Sequence, residues 1–276
     1  MQRIDAHQHF WKFDPVRDAW IDDTMRVIQR DFYPTDLKPL LEQHGFDGCI
    51  SVQADQSQAE NDFLLSLANQ YDFIEGIVGW VDLQDDNIEE RLAQLSQFPK
   101  LKGFRHVLQS EPQRDFMLRP AFQRGIGALQ LFDFAYDVLI YPDQLNFTRL
   151  LIESFPAQRF VIDHLAKPYI KNKNIEGWKR DITSLAKYDH VYCKVSGMVT
   201  EAAWKDWEKA DFRPYLDVIL QGFGTSRLMF GSDWPVCTVA GTYTEVVDIV
   251  QDYFSGFSIE EQNALYGGTA SKFYNL

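Results

Sequence analysis

Short runs of apolar residues recur eight times along this chain, and a longer stretch with helical periodicity follows most of them. The runs are Arg3–Ala6, Gly48–Gln53, Ile74–Val81, Leu101–His106, Phe134–Tyr141, Phe160–Asp163, Val191–Val195 and Leu228–Phe230. Most are too apolar to leave one face in water. They read as strands covered on both sides, the condition of a parallel sheet flanked by helices.

The intervening segments carry helix signals. In Asp86–Phe98, Ile88, Leu92 and Leu95 recur at helical spacing and Pro99 ends the run. Pro142 opens a segment in which Leu145, Leu150 and Leu151 are expected to turn inward, and Asn174–Tyr188 puts Trp178, Ile182 and Leu185 on one stripe. Ser258-Ile259-Glu260-Glu261 matches a capping box, in which serine and glutamate each accept from the other's backbone amide.

About eight strand–helix units without a linker or compositional break predict an α/β chain closed into a (β/α)8 TIM barrel, one domain over residues 1–276. An open doubly wound sheet is the competing architecture. It would place a glycine-rich phosphate loop after the first strand, where Ala6-His7-Gln8-His9 stands instead.

Apolar residues make up 45% and charged residues 24%, so a disordered chain is not expected. A formal net charge of −13 repels polyanions and argues against nucleic acid or anionic lipid as a partner. Cys49, Cys193 and Cys237 form no short-spaced pair and read as reduced thiols. With no signal-peptide pattern and no stretch of about 20 apolar residues, a cytoplasmic protein is expected. Its oligomeric state is left open.

In such a barrel the chemistry lies where strands end and loops begin. The first strand ends in His7-Gln8-His9, and residues two apart in a strand point to one side, so both imidazoles can converge. The fourth ends in Arg105-His106, the sixth in Asp163-His164, the seventh in Lys194-Val195-Ser196-Gly197 and the eighth in Gly231-Ser232-Asp233-Trp234. Imidazoles, a carboxylate and cations at strand ends facing one mouth bind metals or move protons. His44, at a predicted helix end, and His190, just ahead of a strand, are expected to be structural.

These pieces resemble the amidohydrolase superfamily, in the branch of sugar lactonases and pyrone-dicarboxylate lactonases. The resemblance rests on Ile4-Asp5-Ala6-His7-Gln8-His9-Phe10-Trp11, Gly79-Trp80-Val81-Asp82-Leu83 and Lys102-Gly103-Phe104-Arg105-His106. It continues in Val161-Ile162-Asp163-His164-Leu165-Ala166-Lys167-Pro168, Lys194-Val195-Ser196-Gly197-Met198 and Met229-Phe230-Gly231-Ser232-Asp233-Trp234-Pro235. The motifs run in order along nearly the whole chain, and with Trp11 and Leu165-Ala166-Lys167-Pro168 they are most similar to the L-fuconolactonase group.

The resemblance implies a hydrolase that opens a sugar-acid lactone, with a small-molecule sugar lactone as its partner. Asp233, His164, Arg105 and His106 are then expected to be catalytic, and Trp11, Tyr141, Trp234 and Lys194 to bind substrate. Binuclear members of the superfamily also use a lysine or acidic bridge on strand four and a histidine on strand five. Here those strands end in Arg105-His106 and at Tyr141. The expected site is therefore either one divalent metal such as zinc on His7, His9, His164 and Asp233, or the same residues working without metal. The alternatives are decarboxylation of an unsaturated acid in the same site and a non-catalytic binding barrel.

Overall fold

The computed structural model describes residues 2–276. Its strands are β1 (Ile4–Gln8), β2 (Gly48–Val52), β3 (Ile74–Gly79), β4 (Leu101–His106), β5 (Ala135–Val138), β6 (Phe160–Ile162), β7 (Val191–Val195) and β8 (Leu228–Phe230). They pair in sequence order, every pair parallel. The main helices are α1 (Pro34–Gln43), α2 (Gln58–Gln70), α3 (Ile88–Leu95), α4 (Pro120–Leu131), α5 (Leu145–Ser154), α6 (Glu176–Leu185), α7 (Lys209–Phe223) and α8 (Tyr243–Phe254). The short α9 (Ile259–Asn263) and α10 (Thr269–Tyr274) end the chain. This is the (β/α)8 barrel that the alternating pattern predicts.

Apolar runs become strands here because alternate residues serve two cores. On β6, Phe160 and Ile162 face the helical layer, while Val161 joins a second buried cluster with Ile50, Val52, Val78, Ala135 and Met229. Ala270, Phe273 and Tyr274 of α10 belong to that second cluster and close the barrel floor. The outer stripes follow the helical pattern with one exception. Trp178, Ile182 and Leu185 are buried on α6, and Leu145 and Leu151 on α5, but Leu150 is 41% exposed. One residue before Leu151, it lies about 100° away around the helix, off the inward stripe.

Closure falls at the mouth. Asp233 N–H donates to His7 C=O at 2.8 Å and His9 N–H to Trp234 C=O at 2.7 Å, so the segment beyond β8 is sewn to the end of β1. The seam that completes the barrel thus carries four of the candidate site residues. The two control histidines are structural in position. His44 caps α1 through its backbone, with Nε2 against Thr244 Oγ1 at 2.9 Å, and His190 precedes β7 at the opposite end of the barrel.

Phe273 is 1% exposed at the barrel floor. Phe273→Ala is expected to lower unfolding free energy by about 3–5 kcal/mol, read from urea unfolding curves. A loss under ~1 kcal/mol would show that α10 does not close the core.

Candidate active site

Four adjacent strands each send one charged group into the barrel below the mouth: Arg105 from the end of β4, Asp137 from β5, Asp163 just after β6 and Lys194 from β7. All four are at most 4% exposed. Lys194 Nζ lies 2.5 Å from Asp137 Oδ2 and 3.1 Å from Asp163 Oδ1, and Arg105 Nη1 donates to Asp163 Oδ2 at 3.1 Å. From the floor, the Tyr274 hydroxyl reaches Asp137 at 2.8 Å. Burial alone would raise the Asp163 carboxyl, but Lys194, His7 and Arg105 outweigh it and hold it well below its ordinary value.

This charge layer orients His7. Its Nδ1 faces Asp163 Oδ1 at 3.4 Å, and Arg105 Nη1 approaches its Nε2 at 3.3 Å. Lys194 Nζ also approaches Nδ1, at 3.1 Å, so a cation stands beside each ring nitrogen of His7. Burial, and then the Lys194 charge, hold the His7 imidazole far below its usual pKa, so it stays neutral. His9 is oriented by the backbone at the end of β2. Its Nδ1 donates to Val52 C=O at 2.7 Å, leaving Nε2 free toward the site.

His164 enters from an unusual turn. His164, Leu165, Ala166 and Lys167 all have left-handed backbones, with φ of 53°, 55°, 57° and 49°. For L-residues this conformation costs about 1–2 kcal/mol each, so the surroundings must hold it. Trp178 Nε1 donates to Leu165 C=O at 2.6 Å, Lys167 N–H to His164 C=O at 2.7 Å, and Ser196 Oγ meets His164 Nδ1 at 2.8 Å. Burial holds the His164 imidazole at about 4, against the opposing influence of Asp233 and Asp163.

Asp233 faces all three rings. Its Oδ1 lies 3.5 Å from His9 Nε2 and 3.8 Å from the Nε2 atoms of both His7 and His164. Burial pushes its carboxyl up, but His164, His9 and His7 prevail and keep it ionised. One ring nitrogen each of His7 and His164 and an oxygen of Asp233 all lie within 4.8 Å of one another. Bonds of about 2.0–2.2 Å to zinc would put ligand atoms roughly 3.4 Å apart, so this donor set fits one divalent ion. His9 is outside that set of three, its Nε2 3.2 Å from that of His7.

A pocket of about 300 Å³ opens above, reached by His9, Arg105, His164 and Asp233 and walled by Trp11 and Trp20. Several expected residues do not line it. Lys194, expected to bind substrate, is fully buried in the charge layer beneath His7. His106 turns away because neighbours on a strand face opposite sides. It bonds Glu111 Oε1 at 2.7 Å and stacks on Phe116. Trp234 is 3% exposed and packs against Phe32 and Phe10, not against the pocket. Tyr141 stands outside the lining, its ring near Arg114 and Lys167. Conversely, Arg17, Trp20, Gln56 and Gln109 line the pocket and were not singled out from sequence, and Lys167, quoted there only within a motif, lines it too.

Residues 4–276 match the family model described as Amidohydrolase, and the chain belongs to that family. It is 40% identical to an L-fucono-1,5-lactonase from Burkholderia multivorans, covering 99% of this chain and 96% of that relative. A zinc-bound crystal structure of an amidohydrolase from Burkholderia multivorans superposes with a TM-score of 0.96 at 40% identity, covering both chains fully. A probable 2-pyrone-4,6-dicarboxylic acid hydrolase from Acinetobacter baumannii, at 18% identity and a TM-score of 0.83 with both chains fully covered, shares the fold.

Gly197, at φ +61°, lies under His164, and a Cβ there would sit 2.5 Å from His164 Nδ1. Gly197→Ala is expected to displace that ring and lower kcat/KM by about 100-fold. Wild-type kinetics in this variant would show that the ring's position is not critical.

Proposed function

We propose that this chain is a hydrolase that opens a sugar-acid lactone, L-fucono-1,5-lactone or a related aldonolactone. The observation that carries the substrate class is charge matching. Each cation lining the pocket already faces a carboxylate: Arg17 with Asp18 at 2.8 Å, Arg105 with Asp163 at 3.1 Å and Lys167 with Glu201 at 3.6 Å. Asp55 and Asp233 add negative charge to the lining. Such a pocket suits a neutral, hydroxyl-rich ring and disfavours a carboxylate substrate, whether a dicarboxylate lactone or an acid awaiting decarboxylation. The names of the Burkholderia relatives support the same reading.

The chemistry follows from the site. The ionised Asp233 accepts a proton from water, and the water oxygen bonds to the lactone carbonyl carbon. Charge gathers on the carbonyl oxygen, where the buried Arg105 guanidinium, which lines the pocket, offers positive charge. The bond from carbon to the ring oxygen then breaks, and Asp233 returns its proton to that oxygen, releasing the hydroxy acid. His9, which lines the pocket with its Nε2 lone pair aimed inward, accepts from and orients the water. A divalent ion such as zinc on His7, His164 and Asp233 would supply Lewis acidity at the same point.

The reading takes residues 1–276 as one catalytic domain. No helix among the described residues is long and apolar enough to cross a membrane. The three buried, unpaired cysteines favour a reducing, cytoplasmic setting.

The test is acid release from a panel of sugar lactones, with Asp233→Asn beside the wild type. The variant should keep its circular-dichroism spectrum and lose roughly 10²–10⁴ in kcat; full activity would remove Asp233 as the base. In the same assay kcat/KM should stay level from pH 8 to about 5 and fall below that, because His164 protonates near 4 and its neutral form is needed. A decline centred near pH 6.5 would mean that its ring is not desolvated as described.

A further inference from the structure

The left-handed turn that delivers His164 carries a second side chain into the pocket. Lys167 stands three residues on, and both residues line the cavity. The backbone between them is held by the Trp178 Nε1 bond to Leu165 C=O and the Lys167 N–H bond to His164 C=O, so the lysine stem starts from a point fixed relative to the reacting centre.

Its ammonium has the Tyr141 ring 5.7 Å away at the centroid and one carboxylate near it. Lys167 Nζ lies 3.6 Å from Glu201 Oε1, beyond the usual hydrogen-bond range. Their side chains are only 17% and 19% exposed. Burial pushes the Glu201 carboxyl up, with Lys167 opposing it. Two mostly desolvated charges at this spacing leave donor and acceptor capacity unused, which is costly unless another polar group supplies the missing bonds. The other polar side of the pair is the pocket itself, through Lys167.

We propose that Lys167 is a specificity-determining residue that donates to a hydroxyl group of the lactone, with Glu201 as the positioning residue behind it. This rests on the lactonase reading above and extends it. The water and carbonyl are served by Asp233, Arg105 and His9, so the turn's second side chain is free to read the ring substituents. An ammonium backed by its own carboxylate is a neutral unit. It suits a hydroxyl, which can donate as well as accept, better than an anionic group.

The experiment compares kcat/KM for an aldono-1,5-lactone with that for unsubstituted δ-valerolactone, which has the same ring and no hydroxyls. Lys167→Met should lower the ratio of the two values by roughly 10- to 100-fold, the loss of one hydrogen bond to a charged group, mainly through KM. Lys167→Arg should recover part of the ratio. Glu201→Gln should lower it by a smaller factor, because the ammonium loses its anchor but not its donors.

An unchanged ratio in Lys167→Met, with both substrates slowed alike, would overturn the proposal and assign Lys167 to the reacting centre or to structure. A wild type that hydrolyses neither lactone would instead overturn the lactonase reading itself. If Lys167→Met melts at a lower temperature yet keeps the wild-type ratio, the residue is structural and the proposal fails.

Discussion

Two cations and two carboxylates share the dry interior of this barrel, and the site above them depends on their balance. Arg105, Asp137, Asp163 and Lys194 come from four consecutive strands, so parallel pairing in register brings opposite charges side by side. Removing charges from water costs several kcal/mol each, recovered only when each has a close partner. The arrangement is thus conditional on the whole set. Its product is local: burial and the Lys194 charge keep His7 neutral, its ring held among Asp163, Lys194 and Arg105. Tyr274 ties the layer to the C-terminal helix, which links the chain end to the chemistry at the mouth.

The same rule of matched charge extends into the pocket. Arg17, Arg105 and Lys167 each arrive with a carboxylate, so the cavity presents donors without a surplus of positive potential. A neutral ring can exchange hydrogen bonds with water for hydrogen bonds with these groups at little electrostatic cost. An anionic substrate would meet Asp55 and Asp233 with no cation left to balance it. The strained turn at His164 adds a geometric constraint, because one backbone distortion positions a group at the reacting centre and another beside the substrate ring.

Much of this could be read from sequence, and the failures have definite causes. The strands at Leu101–His106, Val191–Val195 and Leu228–Phe230 match their predicted bounds, since apolar runs between turn residues leave little choice. The convergence of His7, His9, His164 and Asp233 was visible because each stands at a strand end on the same side of a barrel. His106 was misplaced by ignoring strand alternation: once Arg105 points inward, its neighbour must point out. Lys194 was expected at the substrate because position along a strand does not reveal depth, and only its partners Asp137 and Asp163 show that it is buried. Trp20 and Arg17 lie in the long segment between β1 and α1, where no periodicity announces a role. The left-handed turn was hidden too, since His164-Leu165-Ala166-Lys167 contains no glycine to signal positive φ.

The central claim is that compensated cations make this a pocket for a neutral lactone. The direct measurement is kcat/KM for a neutral aldono-1,5-lactone against that for a pyrone lactone bearing two carboxylates, in the same buffer and at the same ionic strength. Uncompensated like charges cost several kcal/mol at a desolvated site, so the neutral substrate should be favoured by at least about 1,000-fold. Equal values, or a preference for the dicarboxylate, would contradict the account.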